Sequence, residues 1–562
     1  MKFIKKITHN ISFKKYTYFI IGMLMLMSFT IKSDNDNNFE TVKNLDIFYS
    51  IYKETDLYYV DEVVPGEIIK KGIDAMLSTL DPYTVYIPES KTEDLKIMTT
   101  GQYGGIGAMI RTKGDYTMIS QPYADSPAAK AGLFNGDLIL EIDGKSIKGK
   151  SSEDVSELLR GEPKTILNVK IQRIGTEKPM NFSIEREEIK MKSVPYFTML
   201  DKTTGYIFLN EFTFSAGKEV KEAFETLKKT NNVKVVVLDL RGNPGGLLQE
   251  AVKICNFFID KGNTVVSMKG KAPQMTKTYK TEIEPIDNQV KIIVLVNRGS
   301  ASASEIVSGC MQDLDRGIII GQRTFGKGLV QTTRELPYNS ILKVTTAKYY
   351  TPTERCIQVL DYSHRNEDGS VGNVPDSLKS EYKTKNGRKV YDGGGIEPDI
   401  KVEEREISNI SANLIIQDII SDYSAYFRSK HQSIDPPDKF KLSEIDYIDF
   451  LAFTKSKNFE YKSNSEQILQ ELIENTKEEK YYQETEKELN ELQKKISHNI
   501  EKDLQNFKSE IIELIEAEII ANYYYNAGVL IYSLKNDDFV KKAIEVANNE
   551  NLYNDILKPQ KK

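Results

Sequence analysis

Between residues 206 and 402, short and almost wholly apolar runs alternate with helix-length segments, and nothing else constrains the fold as tightly. KVVVLDL (residues 234–240), KIIVLV (291–296) and GIIIG (317–321) have no polar face, so they read as buried strands. LLQEAVKICNFFI (247–259) and SASEIVSGCMQDL (302–314) have the length and apolar spacing of helices, and 328–351 is rich in strand formers. Strand followed by helix, repeated, predicts a sheet covered by helices, the α/β class.

The flanks differ in kind. A chain of 562 residues is too long for one hydrophobic core, and roughly three or four domains are expected. Lys2, Lys5, Lys6, Lys14 and Lys15 precede the uncharged run at residues 16–31 (YTYFIIGMLMLMSFTI), the pattern of a secretory signal or an uncleaved anchor. No small-x-small site follows it, which favours an anchor that places the rest outside the cytoplasm. SDNDNN (33–38) reads as a linker. From residue 39, Val42, Leu45, Phe48 and Tyr52 recur at helical spacing, and IIKKGIDAML after Pro65 predicts a second helix. From 101 to 187 strands alternate with turns around one helix, SSEDVSELL, which has a serine cap. After about 404 the composition shifts to lysine, glutamate, asparagine and tyrosine. Leu489, Leu492, Ile496, Ile500, Leu504, Phe507 and Ile511 keep one apolar face, predicting a separate helical domain. The divisions are therefore 1–38, 39–100, 101–187, 188–403 and 404–562, with a polar, exposed insertion at 363–392.

A formal net charge of −6 gives no general attraction for phosphate backbones, which argues against nucleic acid as a partner. The three cysteines, Cys255, Cys310 and Cys356, are widely spaced and read as small buried hydrophobes. No metal or organic cofactor is implied.

Chemistry concentrates in residues 297–331, NRGSASASEIVSGCMQDLDRGIIIGQRTFGKGLVQ. A strand ends, a glycine turn follows, and small residues enter a helix, so a serine is presented where unpaired amides favour developing negative charge. A serine hydroxyl needs a base. There are only four histidines in the chain and none here, but Lys327 stands between Gly326 and Gly328. An amine that burial keeps neutral can serve as that base. Glu305, in the first turn of the helix, reads as a favourable dipole partner, and Ser300 and Ser304 as cap or packing residues. Asp239 and Arg241 read as a structural ion pair.

Two motifs here, SASASEI (300–306) and TFGKGLVQ (324–331), closely resemble those of the C-terminal processing peptidases, or tail-specific proteases. The resemblance extends over about residues 60–402. It implies a PDZ-like domain joined to a crotonase-like ββα protease core, to which the periodicity read above adds N-terminal helices and a C-terminal all-helical domain. It implies Ser302 as nucleophile and Lys327 as general base, with Gln331 orienting the lysine and Asp313 of further importance. The oxyanion hole would take the amide of Ala303 and one from Gly245 or Gly246 in DLRGNPGG.

YGGIGAMI (103–110) has the glycine turn and following strand that a domain binding chain ends by strand addition needs. Gly105, Ile106 and Gly107 are the expected carboxylate loop, and Ala108, Met109 and Ile110 the pairing edge. The expectation is an envelope serine endopeptidase on the periplasmic side, anchored in or exported across the inner membrane. It would act on proteins with accessible C-termini, and dimerise through its N- and C-terminal helices. Two alternatives are a PDZ scaffold with an inert protease-like domain, and an esterase using the same dyad.

Overall fold

The computed structural model describes residues 34–558 except 231, 367 and 498. The apolar run at 16–31 lies outside the described residues. Among the described residues, no helix is long and apolar enough to cross a membrane.

The chain divides into two units between Tyr86 and Ile87. The first contains α1 (Asp34–Tyr58) and α2 (Pro65–Ser78), the latter opened by a proline whose fixed φ suits a first helical position. The SDNDNN stretch, expected as a linker, is already helical from Asp34, and Val42, Leu45 and Phe48, which lie on the expected helix, are more than half exposed. Their apolar neighbours Phe39, Ile47, Tyr49 and Ile51 are exposed as well, so the apolar residues surround the helix rather than forming one buried stripe.

The second unit opens with α3 (Thr92–Thr100), ended by Gly101 at φ +67°. Then follow β1 (Gln102–Gly105), β2 (Ala108–Lys113), β3 (Tyr116–Pro122), α4 (Pro127–Ala131), β4 (Leu138–Ile142), α5 (Ser152–Leu159), β5 (Ile166–Gln172), β6 (Met180–Glu185) and β7 (Glu187–Lys190). The main sheet path is β2–β3–β4–β5–β6, all antiparallel, which leaves β2 at an edge, while β1 pairs with β7. Ile119, Ile139, Val155, Leu167 and Ile171 form its core. A reciprocal cap between Ser151 and Asp154 starts α5.

The α/β region contains β8 (Tyr196–Met199), β9 (Thr204–Phe208), α6 (Ala216–Thr230), β10 (Val235–Asp239), α7 (Leu248–Asn256), β11 (Thr264–Gly270), β12 (Lys291–Val296), α8 (Ala303–Asp313), β13 (Gly317–Gly321), β14 (Leu329–Glu335), β15 (Ile341–Tyr350) and β16 (Ile400–Lys401). Its central sheet runs β8–β9–β10–β12–β13–β16, parallel after the first antiparallel pair. A smaller antiparallel sheet joins β14, β15 and β11. Strand alternation divides the central sheet into two faces. Val236, Leu238, Ile292 and Val294 pack with Val220, Phe224, Ile254 and Val307 of α6, α7 and α8.

The opposite face of the sheet is closed from the far end of the chain. After α9 (Ile419–Lys430) and the long α10 (Lys508–Ser533) come α11 (Asp538–Asn548) and α12 (Glu550–Leu557). Phe539, Val540, Ala543, Val546 and Tyr553 pack against Val235, Val237, Ile293, Leu295 and Ile318. The boundary expected at 404 therefore does not separate the whole C-terminal region, because its last two helices belong to the core of the α/β region. The rest has its own core around Tyr423, Phe427, Phe450, Ile511 and Ile519.

The single apolar face expected over 489–511 is broken into helices Tyr482–Ile496, Ile500–Asn506 and α10. Leu489 packs with Leu469 and Ile473, Leu504 and Ile511 join the larger core, and Leu492 and Phe507 are exposed. α9 and α10 also touch the antiparallel domain. Asp418 and Asp422 pair with Arg111 and Lys113 of β2, and the Arg428 guanidinium lies 3.9 Å from the Phe134 ring centre. The 363–392 insertion forms two hairpins and is not wholly exposed, since Arg388 is buried against Asp315 and Asp399.

Candidate active site

Ser302 stands at the junction of β12 and α8 with φ +55° and ψ −111°, a conformation side chains rarely adopt. Strain of this kind costs on the order of 1–3 kcal/mol and persists only where the surroundings enforce it. Here they do. Ala301 N–H donates to Asn243 O at 3.0 Å, Ser304 Oγ donates to the same carbonyl at 2.9 Å, and Ser300 Oγ donates to Leu240 O at 2.7 Å. Asn297 Oδ1 accepts the amides of Gly242 at 2.8 Å and Gly299 at 3.0 Å. Ser300 and Ser304 therefore brace the turn. α8 is buried from Ala303 to Asp313, while Ser302 itself is half-buried.

Glu305 has a larger part than that of a dipole partner. Its carboxylate is fully buried and accepts four hydrogen bonds. Thr324 Oγ1 (2.6 Å) and Gly326 N–H (2.7 Å) donate to Oε1, and Ser302 N–H and Lys327 N–H (both 2.8 Å) donate to Oε2. One carboxylate oxygen thus holds the backbones of Ser302 and Lys327 within two hydrogen-bond lengths of each other. Burial pushes the Glu305 carboxyl up from its ordinary value, against the downward pull of these donors. The signal was in the sequence, as a glutamate three residues after the serine, but that spacing does not reveal a second loop at the same carboxylate.

The TFGKG turn closes tightly. Gly326 has φ +85°, and a Cβ there would lie 2.0 Å from Val359 Cγ2. Gly328 N–H donates to Gln358 Oε1 at 2.7 Å, and Val359 N–H donates to Gly326 O at 3.0 Å. Lys327 is half-buried between two buried glycines. Tyr349 Oη donates to Ser302 O at 3.2 Å.

Ala303 occupies the first position of α8, where a helix leaves its amides without intrahelical partners. Of the two candidate glycines, Gly245 is the one against the nucleophile. A Cβ on it, at φ +102°, would stand 2.8 Å from Ser302 Cβ and 2.9 Å from Ala303 N, whereas one on Gly246 would strike Phe212 O at 2.4 Å. The Gly245 N–H donates to Asn243 Oδ1 at 2.9 Å, so an oxyanion that takes this amide must displace the Asn243 side chain.

Gln331 lies on β14 opposite Thr345, beside a bulge, and its Nε2 donates to Thr345 Oγ1 at 3.2 Å. Asp313 is a correction. It ends α8, about 16 Å of helix from the serine, and there Oδ1 accepts Arg355 Nε (3.0 Å) and Nη2 (2.7 Å) while Oδ2 accepts Thr353 N–H (3.1 Å) and Oγ1 (2.7 Å). Both partners of that pair are 0–1% exposed, so Asp313 is a structural anchor and not a member of the reacting group.

A groove of about 250 Å³ lies between β2 and α5, and Ile106, Gly107, Ala108, Met109 and Ile110 all line it. Gly105 ends β1 and packs on the Tyr103 ring, outside the lining. Gly107, at φ +70°, leaves no room for a side chain, since a Cβ would lie 2.6 Å from Ser126 Cβ. Arg160 also lines the groove, paired with Asp94 of α3 and 5.7 Å from the Tyr103 ring centre. Sequence reading passed over it because an arginine just after a helix is usually solvated.

The family model described as "Peptidase family S41" matches residues 203–362, "PDZ domain" matches 118–173, and "Probable PDZ-protease, C-terminal helical domain" matches 410–547. A "Carboxy-terminal-processing protease" of Bartonella bacilliformis is 36% identical over 353 residues, covering 61% of this chain and 80% of that protein. A "Probable CtpA-like serine protease" of Staphylococcus aureus is 40% identical over 311 residues, covering 55% of this chain and 62% of its own length. The solved photosystem II D1 C-terminal processing protease aligns at 28% identity over 63% of this chain and 86% of its own, with a TM-score of 0.35, and that superposition adds nothing to the assignment. The sequence relationship, carried over four fifths of the Bartonella protein and joined to matches for both the peptidase and PDZ regions, makes this chain a member of the carboxy-terminal-processing proteases, serine-type peptidases of family S41.

Proposed function

We propose that this protein is an endopeptidase that takes hold of a substrate's C-terminal tail in the groove between β2 and α5 and cuts the chain with Ser302, Lys327 acting as base. The observation that carries the reading is the shared Glu305 oxygen, which ties the backbone of the serine to that of the lysine. In the first half-reaction Ser302 Oγ bonds to the scissile carbonyl carbon while its proton passes to the neutral Lys327 amine. The oxyanion meets the Ala303 amide and, once Asn243 moves aside, the Gly245 amide. The resulting ammonium gives its proton to the leaving amine, and a water deprotonated by the same lysine then releases the acyl group.

Support for tail capture comes from β2 being an edge strand, whose free backbone groups can pair with an added chain. Arg160 supplies a positive charge within the groove for a terminal carboxylate. The run at residues 16–31 would anchor the molecule with this catalytic part outside the cytoplasm.

The experiment is hydrolysis of unfolded proteins that differ only in their last few residues. Ser302→Ala and Lys327→Ala should each abolish cleavage without altering the circular dichroism spectrum, and wild-type activity should rise with pH as the lysine loses its proton. Activity retained by either variant rules out the dyad. Equal cleavage whatever the terminal residues rules out tail capture.

A further inference from the structure

We infer that Asp537, contributed by the C-terminal region, is a positioning residue for the peptidase site, acting through Arg241 on the turn that lies against the nucleophile. The inference rests on the assignment of Ser302 as nucleophile.

Arg241 begins the turn 241–246 and sits between two carboxylates. On one side its Nε meets Asp239 Oδ1 and Oδ2, both at 3.0 Å, and its Nη2 meets Asp239 Oδ2 at 2.5 Å, with Tyr206 Oη donating to the same oxygen at 2.7 Å. On the other side Nη2 is 2.7 Å from Asp537 Oδ2, and the guanidinium lies 4.8 Å from the Phe539 ring centre. Asp239 is fully buried at the end of β10, so the side of the guanidinium facing the sheet is set by β10 itself. On the opposite side the guanidinium is held by Asp537, the N-cap of α11, and by the Phe539 ring on α11.

This matters for the site because the turn is stitched to the nucleophile loop at several points. Asn243 O receives Ala301 N–H and Ser304 Oγ, Leu240 O receives Ser300 Oγ, and Gly245 abuts Ser302 Cβ. A shift in Arg241 therefore reaches the backbone that carries the serine and the glycine amide beside it. Displacements of about 1 Å in such groups can cost two orders of magnitude in rate.

Asp537 also caps α11. Its Oδ1 accepts Phe539 N–H at 2.9 Å and Val540 N–H at 3.1 Å, while Oδ2 faces Arg241. The two functions sit on different oxygens and can be separated. Asparagine caps a helix about as well as aspartate, but it has no charge with which to hold a guanidinium.

The test compares full-length wild type, Asp537→Asn, Asp537→Glu, Asp538→Asn and Ser302→Ala in peptide hydrolysis and thermal melting. Asp538 is the control, since its partners are the exposed Arg405 and Lys541. Asp537→Asn should lose about ten- to a hundredfold in kcat with KM nearly constant and melting within a few degrees of wild type. Asp537→Glu should recover part of the loss, and Asp538→Asn should match wild type. Wild-type kcat in Asp537→Asn overturns the inference. So does a kcat loss that only follows a fall in melting temperature and is not relieved by glutamate, because that pattern belongs to packing alone. An active Ser302→Ala variant would instead overturn the assignment of the nucleophile.

Discussion

Each end of α8 buries a carboxylate, and the two ends hold it differently. At the C-terminal end Asp313 meets the Arg355 guanidinium, a full ion pair with both partners 0–1% exposed. At the N-terminal end all four hydrogen-bond partners of Glu305 are neutral, three backbone amides and one hydroxyl. An ion pair cancels charge and fastens one segment to another. A carboxylate held by neutral dipoles orients the backbones that supply them, with no cation among the four partners to offset its charge. The first arrangement serves stability and the second serves geometry. The proposed nucleophile and base stand at the second.

The comparison breaks first on Arg355. Removing one partner of a buried pair costs about 3–5 kcal/mol, so Arg355→Met should lower the stability read from urea unfolding by that much. Molecules that remain folded should keep kcat within a few fold, and a far larger loss of kcat in the folded fraction would place Asp313 back in the reacting group.

Glu305→Gln should do the reverse. Its amide keeps one accepting oxygen and sets an N–H donor against the other two of the four donors, so half of the clamp is lost, and kcat should fall by on the order of a hundredfold with a smaller loss of stability. Wild-type kcat in this variant would show that the four-donor carboxylate does not set the geometry.

The pH dependence sharpens the contrast. Because burial raises the Glu305 carboxyl, the folded protein keeps that proton to higher pH than the unfolded chain does. The associated stability is fully present below the ordinary glutamate value of about 4.3 and is lost as pH rises through the raised value. The stability of wild type relative to Glu305→Gln should therefore decline across that interval in paired melting curves. A constant difference would mean that Glu305 does not titrate on folding. The smallest expected effect lies away from α8. Ile110→Arg, in the groove, should reduce discrimination between substrate tails about five- to tenfold while leaving cleavage of a short peptide unchanged.

Much of this molecule is written locally. KVVVLDL, KIIVLV and GIIIG became neighbouring parallel strands because runs with no polar face can only lie inside a covered sheet. The caps of α4 and α5 and the strand–turn–helix before Ser302 follow from residues a few positions apart. Where sequence reading failed, the missing information was the identity of a distant partner. The helical spacing in α1 marked apolar residues, but not that they would stay exposed. Asp313 sits beside a reactive motif in sequence, yet its ligand is Arg355 in a loop beyond β15. The spacing over 489–511 was helical throughout, but the three helices it spans serve two different cores.

The sequence alone determined the α/β class, the antiparallel domain before it and the two motifs that name the chemistry, because each depends on neighbours within a few residues. Tertiary structure alone decided that Glu305 joins two loops, that α11 and α12 complete the central sheet, and that Asp537 reaches Arg241. Periodicity states that a face is buried; only the folded chain states what buries it.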